Sequence, residues 1–148
     1  MRALEVRIES LMMPWIDKAE KDLTAARLLA AGSAGAALRE IVGFHSQQAA
    51  EKYLKALLTH WQVEFPKTHD LEQLVKLAAT TATPLAISVT DAKWLTRFGV
   101  EIRYPGDVPE VFPGDEDRAI EIATRIRDAV LDILQRYSGT VRKPEALS

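Results

Sequence analysis

Apolar residues recur at helical intervals near the start of the chain. Their spacings of four, four, three and four residues place them on one face of a helix: Trp15, Ala19, Leu23, Ala26 and Ala30. Pro14 suits the first turn of that helix, because the N–H that proline lacks would have no partner there. The pattern therefore predicts a helix that begins at Pro14 and ends near Gly32.

A second, longer helical pattern follows the GSAG breaker at 32–35. It runs from about Ala36 to Trp61 and contains no proline. At about 1.5 Å per residue, this helix would be roughly 39 Å long, enough to form the spine of a small domain. Its apolar residues occupy more than one face, which is typical of a helix packed on two sides. Because the connecting loop is short, we expect the first two helices to be antiparallel neighbours.

Capping residues and helix-start patterns later in the chain predict three further helices. Asp70 is suited to cap a short third helix, with Gln73 three residues later. A fourth helix is predicted to start near Asp91 and to end by Gly99. A fifth is predicted to start at Asp115, because acidic residues gather there and favour the positive end of the helix dipole.

Length and composition complete the fold prediction. With 148 residues, 47% of them apolar, the chain is long enough for one hydrophobic core and too short to divide comfortably into two domains. We therefore predict an all-α fold, an up-and-down antiparallel bundle of about five helices. It forms a single domain over residues 1–148, with a core at about 14–136 and a frayed tail at 138–148.

Composition also excludes several kinds of chemistry. The chain has no cysteine, which rules out disulfides, thiolate metal sites and cysteine nucleophiles. A formal net charge of −2 gives no overall attraction to nucleic acid, so RNA binding would need a local basic patch. No stretch resembles a signal peptide or a membrane span, which predicts a cytoplasmic location without membrane contact. There is no glycine-rich nucleotide motif, and the three histidines lack metal-ligand spacing, so we predict neither a cofactor nor a metal ion: His45, His60 and His69.

One polar row on the long second helix is a candidate binding surface. His45, Gln48 and Lys52 fall at positions i, i+3 and i+7, which places them on one side of a helix. A lysine charge and an amide that both donates and accepts suit a phosphate or a base. The same spacing is also typical of a solvated face or of a hydrogen-bonded core histidine, which spacing alone favours. Both interpretations stay open at this point.

Two further positions outside that row are candidates. His69 precedes Asp70 and belongs either to the binding surface or simply to a helix start. Arg103 and Tyr104 lie in a segment over 99–115 that carries three prolines, which stiffen a loop. Long ordered loops in compact domains are often functional. Arg103 is therefore either an anion ligand or part of an ion pair that ties the loop down.

Four segments, in this order and spacing, resemble the HEPN domain family: WIDKAEKDL at 15–23, FHSQQAAEKYLK at 44–55, PKTHDL at 66–71 and RYP at 103–105. The resemblance covers roughly residues 14 to 136. It implies an up-and-down helical bundle that usually forms a homodimer and is encoded beside a minimal nucleotidyltransferase in many prokaryotes. Such pairs often look like toxin and antitoxin.

Family members with ribonuclease activity carry an arginine followed four to six residues later by a histidine, and this chain departs from that pattern. The residues after Arg103 are YPGDVPEVFP, and no histidine follows His69. Arg39 and His45 have the right spacing but lie in the wrong segment, and six residues along a helix leave them about 120° apart. An arginine alone cannot act as a base at neutral pH.

Three functional hypotheses remain. The first is a noncatalytic HEPN subunit that dimerises, pairs with a minimal nucleotidyltransferase and binds a nucleotide or an RNA phosphate. Its ligand-binding residues would be His45, Gln48, Lys52, His69, Arg103 and Tyr104. The second is a metal-independent endoribonuclease toxin, in which Arg103 binds the scissile phosphate and His45 or His69 acts as acid or base. The third is a purely structural dimerisation module.

Overall fold

The computed structural model describes residues 2–81, 85–99, 104–107 and 109–138. These residues form five α-helices and one short 3₁₀ helix, and no strand occurs among them. The all-α prediction and the number of helices are therefore confirmed. The helices are α1 (Arg2–Ala31), the 3₁₀ helix (Gly35–Leu38), α2 (Arg39–His60), α3 (Leu71–Ala78), α4 (Val89–Thr96) and α5 (Asp115–Ser138).

Helix α1 begins at Arg2, so the predicted start at Pro14 is wrong. Pro14 lies inside a helix of 30 residues. An internal proline removes one backbone hydrogen bond and crowds the preceding turn. Apolar packing on both sides of it offsets that cost, because Met12 and Ile16 are each only 1% exposed.

Helix α2 lies within the predicted bounds and ends one residue earlier. It begins at Arg39 because the residues before it form the 3₁₀ helix. Beyond its last residue, Gln62 adopts a left-handed conformation with φ of 56°. This turn lets Val63 N donate to Leu58 O at 2.9 Å, which satisfies a carbonyl at the helix end.

The starts of α3 and α5 are as predicted, and α4 starts slightly earlier. Asp70 accepts hydrogen bonds from the backbone N–H groups of Glu72 and Gln73, at 3.0 and 3.4 Å. Ser88 caps α4 in the same way by accepting from Asp91 N at 3.2 Å. Short polar side chains at these positions satisfy donors that have no partner within the helix.

The three long helices form the body of the bundle. Helix α1 runs antiparallel to α2, since Asp22 meets Lys52 while Trp15 lies near Lys55. Helix α5 also runs antiparallel to α1 and therefore in the same direction as α2. The short helices α3 and α4 return the chain between α2 and α5, and both contact α2. Helix α2 is thus the central element.

One polar network lies where the three long helices meet. The Tyr53 hydroxyl donates to Glu20, and Arg127 Nε donates to the same carboxylate at 2.6 Å. Burial, together with the hydrogen bond to Glu20, raises the pKa of Tyr53 well above its usual range. Burial acts to lower the pKa of Arg127, but the hydrogen bond and charge of Glu20 outweigh it and raise that pKa. The tyrosine therefore stays protonated and the arginine charged, as the network requires.

Two glycines allow the end of α4 to lie directly on α2. A Cβ atom at Gly43 would be 2.5 Å from the ring of Phe98, and one at Gly99 would be 2.7 Å from the side chain of Gln47. Real side chains do not approach this closely, so both positions depend on the absence of a Cβ atom. The contact brings the chain that leaves α4 onto the polar residues of α2.

Candidate functional site

A single carboxylate on α1 holds two of the predicted site residues of α2. His45 Nδ1 lies 3.1 Å from Asp22 Oδ1, and the Lys52 ammonium donates to Asp22 Oδ2. Because a carboxylate only accepts, Nδ1 of His45 must carry the proton. Its Nε2 atom is then left for another partner. The structure therefore brings His45 and Lys52 together on one carboxylate.

Gln48 is oriented by a chain of two amides that starts at a backbone carbonyl. Gln47 is fully buried, and its Nε2 donates to His69 O at 2.9 Å. Since that carbonyl can only accept, the Oε1 atom of Gln47 must face the other way, where it accepts from Gln48 Nε2 at 2.9 Å. Gln48 therefore keeps its Oε1 and one N–H for an external group.

His69 is tied to the far edge of the same face of α2, through Glu51. Its Nδ1 lies 2.7 Å from Glu51 Oε1, and its side chain is 67% exposed. Glu51 also binds Lys55 at 3.1 Å, in a pair whose side chains are only 5% and 8% exposed. The Lys55 ammonium lies 5.5 Å from the centre of the Trp15 ring, which gives the buried charge a second stabilising contact.

The two histidines flank a partly exposed polar row of α2. His45 and Glu51, which binds His69, are six residues apart and therefore about 120° apart around the helix. Gln48 falls midway, about 60° from each. The site is thus a shallow face with Gln48 in the middle and a histidine–carboxylate pair on each side.

The remaining predicted residues are not joined to this face by any described contact. Arg103 lies outside the described residues. Tyr104 follows it and has a side chain that is 75% exposed. Gly99, the last described residue before Arg103, packs on Gln47. Arg39 pairs with Glu116 on α5 at 2.5 Å, so it is directed away from the partner that binds His45.

Sequence reasoning missed three residues that organise the site: Asp22, Gln47 and Glu51. Glu51 precedes Lys55 by four residues, a spacing that favours an ion pair within a helix. Gln47 precedes Glu51 by the same interval. Nothing in the local sequence around Asp22 indicates that it meets His45, because that contact joins two helices.

The ion pairs of the site balance in charge. Lys52 pairs with Asp22 and Lys55 pairs with Glu51, which gives two cations and two carboxylates. An imidazolium at His45 or His69 would add a positive charge, which suits an anion.

In the part of the chain that the structure describes, no set of three histidine or acidic side chains is placed to hold a metal ion. None of its helices combines the length and apolar character that crossing a membrane requires.

Comparison with known proteins places these features in a family. Residues 12–134 match the sequence model of the HEPN domain. Among solved structures, the crystal structure of ST0689, described as an archaeal HEPN homologue, is similar at 27% identity with a TM-score of 0.62. The similarity covers 83% of this chain and 97% of the archaeal chain. A comparison with curated proteins found no match.

The two carboxylates of the site should differ in their importance for stability. Glu51→Gln leaves the Lys55 charge almost fully buried without its partner, so we expect a loss on the order of 3 kcal/mol in the free energy of unfolding. Asp22→Asn acts on side chains that are 16% and 20% exposed, and we expect a loss of about 1 kcal/mol or less. Urea unfolding of both variants measures the difference. Equal losses would contradict the structural role assigned to Glu51.

Proposed function

The chain belongs to the HEPN domain family, and we propose that within this family it is a noncatalytic subunit that binds a phosphate group on the partly exposed polar face of α2. The proposed ligand is a nucleotide or an RNA phosphate. The proposed assembly is a homodimer that pairs with a minimal nucleotidyltransferase. Family membership supports the assembly, and the geometry of the face supports the binding.

The convergence of His45 and Lys52 on Asp22 carries this proposal. The shared carboxylate holds an imidazole and an ammonium side by side on one helix face. Each keeps hydrogen-bond donors beyond those given to Asp22: the ammonium keeps two of its three, and a protonated imidazole has a second at Nε2. Donors of this kind, fixed before binding, lose little entropy when a phosphate oxygen arrives.

Arg103 and Tyr104 remain part of the proposal through their position in the chain. Gly99 packs directly on Gln47, the buried neighbour of Gln48. Arg103 follows Gly99 by four residues in the sequence. A guanidinium suits a phosphate better than an ammonium does, because its planar donors bind two oxygens together.

We expect the chain to bind ribose 5-phosphate, measured by isothermal titration calorimetry. The double variant His45→Asn, Lys52→Gln should weaken binding by at least roughly tenfold, since a hydrogen bond to a charged group contributes about 1.5 kcal/mol or more. Lys76→Gln is the matched control, because Lys76 is an exposed lysine of α3 paired with Glu72. Absent binding, or equal affinity in the double variant, would favour a purely structural module.

The assembly is tested separately by co-expression with a minimal nucleotidyltransferase, the proposed partner. We expect the two proteins to co-purify through size-exclusion chromatography with light scattering. Expressed alone, the chain should have twice the 16.5 kDa mass of one copy. A monomer that does not retain the nucleotidyltransferase would contradict this part of the proposal while leaving phosphate binding untouched.

A second candidate function, RNA cleavage, is favoured by one specific observation. His69 is held at Nδ1 by the buried Glu51 carboxylate, and its ring is largely exposed. This arrangement orients Nε2 outward for proton transfer. In such a reaction one histidine takes the proton of a 2′-hydroxyl, whose oxygen attacks the phosphorus. A second group acts as the acid and gives a proton to the 5′-oxygen as its bond to phosphorus breaks. The product is a 2′,3′-cyclic phosphate. Arg103 would bind the phosphate, with His45 or His69 in the acid–base roles.

A metal-free assay on labelled single-stranded RNA, with chelator present, distinguishes the two functions. We expect no cleavage by the wild type, because no histidine follows Arg103 at the spacing of ribonuclease members. Arg103→Ala and His69→Gln are the companion variants. Cleavage by the wild type that disappears in both variants would replace the binding function with the ribonuclease, whereas equal cleavage by all three would indicate a contaminating enzyme.

A further inference from the structure

The first turns of α1 carry an apolar row that the rest of the protomer covers on one side only. Leu4, Ile8 and Leu11 form this α1 row, and they line a groove of about 360 Å³ with Val63 and Phe65, which follow α2. Leu4 and Leu11 are nevertheless 52% and 56% exposed. We infer that the α1 row binds a second copy of the chain, with the two α1 helices side by side and parallel. The inference rests on the proposed homodimer and locates its interface.

The spacing and residue types of the row match a two-stranded coiled coil. Continued to the next apolar residue, the row has intervals of four, three and four residues, which are those of core positions d, a, d and a in a heptad repeat: Leu4, Ile8, Leu11 and Trp15. Leucine at d and isoleucine at a favour a parallel pair of helices. A coiled coil this short does not form from isolated peptides, because helix nucleation is costly. Here the bundle already holds α1 in helical form, so pairing does not carry that cost.

The α1 row lies outside the part of the chain that matches the family. The match to the HEPN domain begins at residue 12, whereas α1 begins at Arg2. The helix reaches the row through Pro14, which costs it one backbone hydrogen bond. Residues 2–7 are all exposed, so the protomer alone gives this part of α1 little packing. A second copy on the row supplies the apolar contacts that stabilise a helix in water.

Two charged side chains at the groove favour the parallel arrangement. Arg7 and Glu64 both line it, and neither side chain has a hydrogen bond or an ion pair within the described residues of the protomer. Met12 is buried on the side of the row where Glu64 lies, and Arg7 is on the other side. In a parallel pair, each edge of the row meets the opposite edge of the partner. Arg7 of each copy then approaches Glu64 of the other, whereas an antiparallel pair brings like edges together.

Light scattering of the full chain over a range of concentrations tests the contact. We expect Leu11→Lys to raise the dissociation constant of the dimer by at least roughly a hundredfold, since each dimer loses two buried leucine side chains. Val6→Lys and Leu28→Lys are the matched controls, because these residues of α1 are 60% and 65% exposed and lie away from the row. Both controls should leave the dimer intact. Thermal melting verifies that each variant is folded.

Cysteine variants test the parallel arrangement, because the chain has no cysteine of its own. Equivalent core residues face each other across a parallel pair. Leu4→Cys and Leu11→Cys should therefore each form a disulfide-linked dimer on mild oxidation, and Val6→Cys should not. Arg7→Glu should weaken the dimer, and the added change Glu64→Arg should restore it. Disulfides that form only when the Leu4→Cys and Leu11→Cys chains are mixed would indicate an antiparallel pair and overturn the arrangement.

The outcomes separate this interface from the homodimer itself. A wild-type chain that is monomeric at every concentration would show that the proposed homodimer is wrong, and the contact through α1 with it. A dimer that persists equally in Leu11→Lys and Val6→Lys would leave the homodimer standing and overturn the contact through α1. Loss of the dimer in Leu11→Lys alone, together with disulfides at both positions of the row, would support the inference.

Discussion

The structure depends on the need to satisfy the polar side chains of a central helix. Each of the other described helices contacts α2, so most of its side chains are removed from water. A buried neutral polar group without a hydrogen-bond partner lowers the free energy of unfolding by about 1–3 kcal/mol, and a buried unpaired charge lowers it by more. Each polar group therefore selects a partner on another segment. Tyr53 shares Glu20 of α1 with Arg127 of α5, and Gln47 binds the turn before α3.

These contacts also determine which atoms the α2 face would present to the proposed ligand. Both histidines at the α2 face use Nδ1 for a carboxylate, which leaves Nε2 for another partner. The amide of Gln48 is ordered for the same reason, through Gln47. The geometry of the site therefore follows from the hydrogen bonds that the polar side chains of α2 make inside the protein. These hydrogen bonds hold the side chains in place without a ligand. Such preorganisation lowers the entropy cost of binding.

The parts of the fold that local chemistry specifies could be predicted from the sequence. Asp70 caps α3, and the acidic run at Asp115 opens α5, because both signals act within one helical turn. The start of α1 could not be read in this way. Pro14 is a helix-starting signal when considered alone, and only tertiary packing of Met12 and Ile16 shows why the helix continues through it. The row of His45, Gln48 and Lys52 followed from helical spacing, whereas Asp22 did not, since a contact between helices leaves no local pattern.

The positions of the proton-transfer groups relative to a bound phosphate decide between the two proposed functions, binding and cleavage. Cleavage of RNA without a metal needs a base near the 2′-oxygen and an acid near the leaving oxygen, on opposite sides of the phosphorus. His45 and His69 lie on opposite sides of the α2 row, which satisfies that condition only for a phosphate centred on Gln48. The amide at that position is neutral, and the ammonium lies a turn away at Lys52. A phosphate drawn to Lys52 therefore has His45 beside it and His69 on the far side of Gln48. The charge distribution of the face thus favours a bound phosphate over one placed between two proton-transfer groups.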